Sequence, residues 1–270
     1  MREARTGPAR RTGQARRTGR ALGAEWTKLC TVPSQLWTLA ALAALMAGVT
    51  ALTAAGQGRP RDTPAAPVAL ALSGVYAAQL AALAVGVALV ASEYQPRVIR
   101  TTLAAHPGRT GVLAAKAAVV TAAVLVVGVP GVLGSVLAGR AVLAGQGHGT
   151  AALSDPALWR AAVGTLLYLA LVALLGAGVA AVLRHSGVAV GVTAALLYGP
   201  FLATKVIPMS THALHLVQKV SPMSAGLAVQ TTLPGTGPAP LGPWAGLGVL
   251  AAWAGAALAV GWAGLRFRDA

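Results

Sequence analysis

Long apolar stretches alternate with short polar ones, giving six apolar runs at 36–55, 68–91, 112–139, 161–182, 187–204 and 244–265. Each approaches or exceeds the roughly 20 residues that a helix needs to cross a hydrocarbon core of about 30 Å. A helix pairs its own backbone N–H and C=O groups, which lipid cannot do. The pattern therefore predicts an all-α membrane protein with six transmembrane helices. The first run is longer than the apolar core of a signal peptide, about 7–15 residues, and is read as an uncleaved helix.

The segments between the runs differ in kind. Residues 1–20 echo one motif, Arg5-Thr6-Gly7-Pro8-Ala9-Arg10, then Arg11-Thr12-Gly13-Gln14-Ala15-Arg16, then Arg17-Thr18-Gly19-Arg20. They carry no apolar surface to bury and are predicted to be a disordered basic tail, with 21–270 as a single membrane domain. Over 21–33, Leu22, Trp26 and Leu29 share a helical face while Glu25 and Lys28 lie elsewhere. That arrangement predicts a short amphipathic helix lying in the inner interface and leading into the first span, with Pro33 between the two. Leu183-Arg184-His185-Ser186 reads as a tight turn. The long segment 205–243 begins with two short helices, broken near Ser221-Pro222, that form a hairpin between spans five and six.

Composition strengthens the membrane reading. The 270 residues are 56% hydrophobic and 10% charged, with mean hydropathy +0.69, where a soluble domain carries about a quarter charged residues. The net charge of +15 is spread unevenly, with seven of the 21 basic residues in the first 20 positions. An N-terminus inside the cell puts 15 basic residues on the cytoplasmic side and six on the other. By the positive-inside rule this places both termini in the cytoplasm. Trp37, Trp159, Trp244 and Trp262 then fall near span ends, in the headgroup zone that indole prefers. The single cysteine, Cys30, excludes an intrachain disulfide and a cysteine metal cluster.

The middles of the spans hold no Asp, Glu, Lys, Arg or His, which disfavours a carrier driven by an ion gradient. Lys116, near the inner end of the third span, is expected to snorkel toward the headgroups. No Gly-x-x-x-x-Gly-Lys-Ser/Thr phosphate loop exists, so active transport requires an ATPase on another polypeptide, and no cofactor is expected. His212 and His215 have helical spacing but no acidic or thiol neighbour, which makes a weak metal signal. Ser73, Tyr76 and Gln79, spaced i, i+3, i+6, form a polar stripe in the second span. It either lines a path for an amphipathic substrate or makes interhelical hydrogen bonds, each worth about 1 kcal/mol in a membrane. Pro130 and Pro200 permit kinks, and Gly187-x-x-x-Gly191 permits close helix packing.

The densest polar stretch between spans runs from Glu93 to Lys116. Pro96 suits the first turn of a short helix. Along that helix Val98, Thr102 and Leu103 present an apolar side, while Arg97 and Arg100 offer charge to a partner's carboxylates. Ser92-Glu93-Tyr94, Ile99-Arg100-Thr101-Thr102-Leu103-Ala104-Ala105, Pro107 and Val112-Leu113-Ala114-Ala115-Lys116 together resemble the coupling loop of permease subunits of type-two ATP-binding-cassette (ABC) exporters, of the small actinobacterial kind. Glu25-Trp26-Thr27-Lys28-Leu29 with Leu36-Trp37-Thr38-Leu39 is similar to that family's interfacial helix and first span, and Ser221-Pro222 with Ala225-Gly226-Leu227 to its outer hairpin. Pro96-Arg97-Val98 departs from the Thr-Gly-Thr that members often carry.

The resemblance implies a permease in a bacterial plasma membrane. It would form an export path with a second copy or a paralogue and would be driven by an ABC ATPase subunit. Its implied ATPase-coupling residues are Glu93, Tyr94, Arg97, Arg100, Thr101, Thr102 and Leu103, and its interfacial residues Glu25, Trp26 and Lys28. It implies no nucleic-acid partner, leaves the exported substrate open and makes the chain no enzyme itself. A non-transporting membrane anchor or sensor subunit on the same scaffold, and an ion-coupled carrier, are the competing expectations.

Overall fold

The structure is a computed structural model that describes Gly23, Trp26, Thr27 and residues 31–57, 67–91, 109–232 and 240–267, with the side chains of 109–112 and 265–267 outside the description. The described residues are all-helical: α1 Pro33–Ala55, α2 Pro67–Ala71, α3 Val75–Ala91, α4 Arg109–Gly145, α5 Pro156–Leu183, α6 Ser186–Val206, α7 Thr211–Val220, α8 Pro222–Leu227 running into a 3-10 turn at Ala228–Gln230, and α9 Pro243–Phe267. Five of them, α1, α4, α5, α6 and α9, are long and apolar enough to cross a membrane, so the protein is a multi-pass helical membrane protein by helix length and hydropathy.

Local chemistry sets the boundaries. Pro33 opens α1 at its first position, where a missing N–H loses no helical bond. The Asp155 carboxylate accepts the Ala157 N–H at 2.8 Å, with Pro156 behind it, and so starts α5 five residues before the predicted 161. Ser210 and Ser221 cap α7 and α8 in the same way. At the turn into α6, Arg184 adopts a left-handed conformation, φ 57°, and the His185 ring accepts the Val188 N–H. The α4 helix outruns its predicted range of 112–139 at both ends, and it continues through Pro130 as α6 does through Pro200.

The second predicted span, 68–91, is not one helix. It is interrupted at Leu72–Gly74, between α2 and the 17-residue α3, which falls below spanning length on its own. The break lies against α1. A Cβ on Gly74 would sit 1.9 Å from the Met46 carbonyl oxygen of α1, so only glycine fits where the two backbones meet.

The bundle is built around α5. Some 67% of its apolar window is buried, against 17% for α6 at the edge. It packs along both α3 and α9, and α1 packs along α4. The α3–α5 contact is a backbone-to-backbone one. A Cβ on Gly86 would meet the Ala173 oxygen at 1.9 Å, and one on Gly176 would meet the Leu83 oxygen at 2.7 Å. Small residues let membrane helices approach this closely, and van der Waals packing is what holds them together. The close packing that Gly187-x-x-x-Gly191 permits is not used within the single chain: Gly191 has open space around its Cα, and Gly187 meets only the ring of neighbouring His185. The close-packing glycines lie instead where helices cross in the core.

The two short helices of 205–232 are present and break at Ser221, as read from the sequence. Their environments are opposite. No residue of α7 is buried, whereas every residue from Ser221 to Gln230 is. The second half is a plug inserted among the long helices, with Gly226 against the Tyr168 ring. Irregular backbone at such depth persists only when protein covers it. The plug is pinned at each end: Trp253 Nε1 donates to the Val220 carbonyl at 3.0 Å, and Arg160 donates to the Thr231 carbonyl at 2.9 Å.

Candidate functional site

The helix break frees two backbone groups, the Gly74 N–H and the Ala71 carbonyl, and two hydroxyls from other helices reconnect them. Gly74 donates to Thr50 Oγ1 at 2.8 Å. Thr50 and Ser135 share a hydrogen bond of 2.7 Å, and Ser135 donates to the Ala71 carbonyl at 2.7 Å. Because Ser135 spends its proton on Ala71, the Thr50 hydroxyl donates to Ser135, and the relay runs in one direction from amide to carbonyl. Beside it, Ser73 pairs with Thr53, and Gln230 of the plug reaches the Leu72 carbonyl at 3.5 Å and Thr165 Oγ1 at 2.9 Å.

Next to the break lies a cluster of rings. The fully buried Tyr168 of α5 donates to Gln79 Oε1, and Gln79 Nε2 reaches the Tyr76 carbonyl at 3.3 Å and Met223 Sδ of the plug at 3.5 Å. From α6, the Tyr198 hydroxyl donates to the Tyr76 carbonyl. The Tyr76 and Phe201 rings are 6.2 Å apart, and Lys205 Nζ stands 5.8 Å from the Phe201 centroid. Tyr94 lies outside the described residues and the Phe267 side chain is not described, so every described tyrosine and phenylalanine side chain belongs to this cluster.

The polar stripe of the second span therefore divides by environment. Ser73 and Gln79 are buried and hydrogen-bonded to other elements, whereas Tyr76 is 39% exposed. The surface that α3 leaves uncovered continues from Tyr76 through Leu80 to the partly exposed Ala84 and Ala88. Spacing alone finds the stripe but cannot say which edge of it faces outward. Sequence reasoning missed Thr50, Ser135, Thr165, Tyr168, Tyr198 and Gln230. The available signal was the rarity of polar groups inside apolar runs, provided hydroxyls and amides are weighed alongside charges.

Lys116 also departs from expectation. It is 2% exposed and donates to the Leu89 carbonyl at 2.9 Å, so its ammonium group serves the C-terminal end of α3 rather than the headgroups. A cation there offsets the partial negative charge of unpaired helix carbonyls. The bond joins the last turn of α3 to the first third of α4, on either side of residues 92–108.

The predicted coupling residues Glu93, Tyr94, Arg97, Arg100, Thr101, Thr102 and Leu103, and the interfacial Glu25 and Lys28, lie outside the described residues. Trp26 is described and 41% exposed. Trp37, Trp159, Trp244 and Trp262 are exposed near the ends of their helices. Among the described residues no three His, Cys, Asp or Glu side chains come together as a metal site would require, His212 and His215 included. No known protein-family model matches the chain, and no curated protein is significantly similar to it, so the functional reading rests on the residues themselves.

Proposed function

We propose that this chain is the permease subunit of an ABC exporter, paired with a second copy or a paralogue and driven by a separate ATPase that docks on residues 93–103. The observation that carries the proposal is the stretch from Ser92 to Lys116, which resembles the coupling loop of such permeases in residue type and spacing. The helices flanking it support the reading. Lys116 ties α4 to the end of α3, so a push on the loop reaches both helices together. In this proposal α2 and α3 jointly make a sixth crossing, both termini are cytoplasmic, and the exposed stripe Tyr76–Leu80–Ala84–Ala88 faces the substrate path. The short helices between α6 and α9 lie toward the outside, where movement of the pinned plug gates the exit.

The test is copurification. The tagged chain, drawn from its native membrane in mild detergent, is expected to bring an ABC ATPase with it, and Arg100→Glu is expected to lose that ATPase while still inserting and dimerising. An ATPase retained by the variant would move the docking contact away from Arg100. A folded preparation that captures no ATPase would sink the exporter reading and favour the membrane anchor or the ion-coupled carrier.

A further inference from the structure

We infer that the groove between α3 and α6 takes an anionic amphiphile, its headgroup at Lys205 and its chain along Tyr76, Phe201, Leu80 and Ala84. This deepens the exporter reading by naming a class of cargo, and it rests on that reading for the groove's place in a transport path.

The groove is amphipathic in a definite order. Lys205 is exposed in the last turn of α6. One turn inward its ammonium faces the ring of Phe201, which in turn faces Tyr76. Leu80, 45% exposed, and then Ala84 follow on the next two turns of α3, away from Lys205. The Tyr198–Tyr76 and Tyr168–Gln79 hydrogen bonds tie the rings to the core, so the aromatic floor is built before a ligand arrives. Preorganised aromatic area of this kind binds an alkyl or aryl chain with little loss of side-chain entropy.

Charge selects the headgroup. Asp155 is the one acidic side chain among the described residues, and it is engaged at the start of α5. Neither α1, α3 nor α6 carries a carboxylate, and the remaining described basic and imidazole groups at the Lys205 end of α6 are His212, His215 and Lys219 on α7. Among the described residues, a cationic amphiphile entering the groove meets only positive or neutral groups, whereas a phosphate, sulfate or carboxylate head meets an ammonium beside a desolvating ring wall. The aromatic rings alone would favour a cation, but the lysine already occupies that face of Phe201.

The experiment uses the full-length protein in nanodiscs of neutral phosphatidylcholine. Two photoreactive probes share one diazirine-bearing dodecyl chain, one with a phosphate head and one with trimethylammonium. Labelled residues are mapped by mass spectrometry. The phosphate probe is expected to label α3 and α6 around Leu80 and Phe201 at least about five-fold more than the ammonium probe, the size of one partly exposed ion pair. Lys205→Gln is expected to abolish that preference, and Lys205→Arg to keep it. Lys219→Gln, which removes the same charge from a helix contributing no ring, is expected to leave it unchanged.

Equal labelling by the two probes, or a preference that survives Lys205→Gln, would overturn the inference. So would a preference lost equally in Lys219→Gln, which would mean general surface charge, or one erased by millimolar inorganic phosphate, which would mean a free-anion site. Labelling that follows these expectations in a preparation lacking any ATPase would sink the exporter reading and leave the headgroup site standing. An ATPase bound without selective labelling would do the reverse.

Discussion

Tyr168 shows how much a single hydroxyl does in this interior. Its ring fills the space beside Gly226 and its oxygen holds Gln79, which in turn touches the plug through Met223. Tyr168→Phe keeps the ring and removes the donor, leaving a buried amide oxygen short of a partner. The expected loss is about 1 kcal/mol of unfolding free energy in mixed micelles, with no change in helix content. Loss of most of the fold would show that the hydroxyl anchors more than Gln79. At this level the sequence was only partly legible. It marked Ser73, Tyr76 and Gln79 as unusual, yet their partners come from α1, α5, α6 and α8, and no spacing within one helix encodes which neighbour lies opposite. Lys116 was misplaced for the same reason: its position near a helix end predicts snorkelling, but the Leu89 carbonyl at the end of α3 lay within reach.

Helix identity was far easier to read, because about 20 apolar residues have few alternatives in lipid. The long helices α1, α4, α5, α6 and α9 each coincide with a predicted run, and at the start of α5 the Asp155-Pro156 cap extends the helix beyond it. Two features escaped. The break at Leu72–Gly74 lies where the backbone of α1 meets Gly74, a contact 28 residues away in sequence and silent in the hydropathy. The buried plug is only moderately apolar and too short to span, so its depth depends on the room left by Gly164, Gly226 and Gly246. Glycine position matters accordingly. Gly86→Ala forces α3 and α5 apart and is expected to destabilise by about 1–3 kcal/mol or more, whereas Gly191→Ala, with open space around it, is expected to leave a single copy's thermal stability unchanged. Equal effects in a denaturation assay would contradict the α3–α5 packing described here.

The bundle as assembled distributes rigidity unevenly. The α3–α5–α9 centre is close-packed, with glycine notches against backbone, while α6 stands at the edge with few buried residues and α7 has none. In the proposed export cycle the edge helices are the cheaper ones to move, and α6 carries Tyr198, Phe201 and Lys205 with it. The candidate site thus joins one fixed wall, α3, to one displaceable wall, a division visible only once the helices are packed. Apolar patterning does not reveal it, since α5 and α6 both carry long apolar runs and their different burial depends on what surrounds them.

The interruption at Leu72–Gly74 also has arithmetic attached. The five residues of α2 and the 17 of α3 together make about 33 Å of helix at 1.5 Å per residue, enough for a crossing, whereas the 17 of α3 alone make about 25 Å, short of a core of about 30 Å. With the proposed six crossings the parity is even. Deleting 67–74 is expected to make it odd, carrying a C-terminal reporter fused to the chain from the cytoplasmic to the outer face; a reporter that stays put would mean α3 spans unaided. In the proposed six-crossing topology, Thr50 and Ser135, by satisfying one stray amide and one stray carbonyl, keep α2 and α3 together as one crossing.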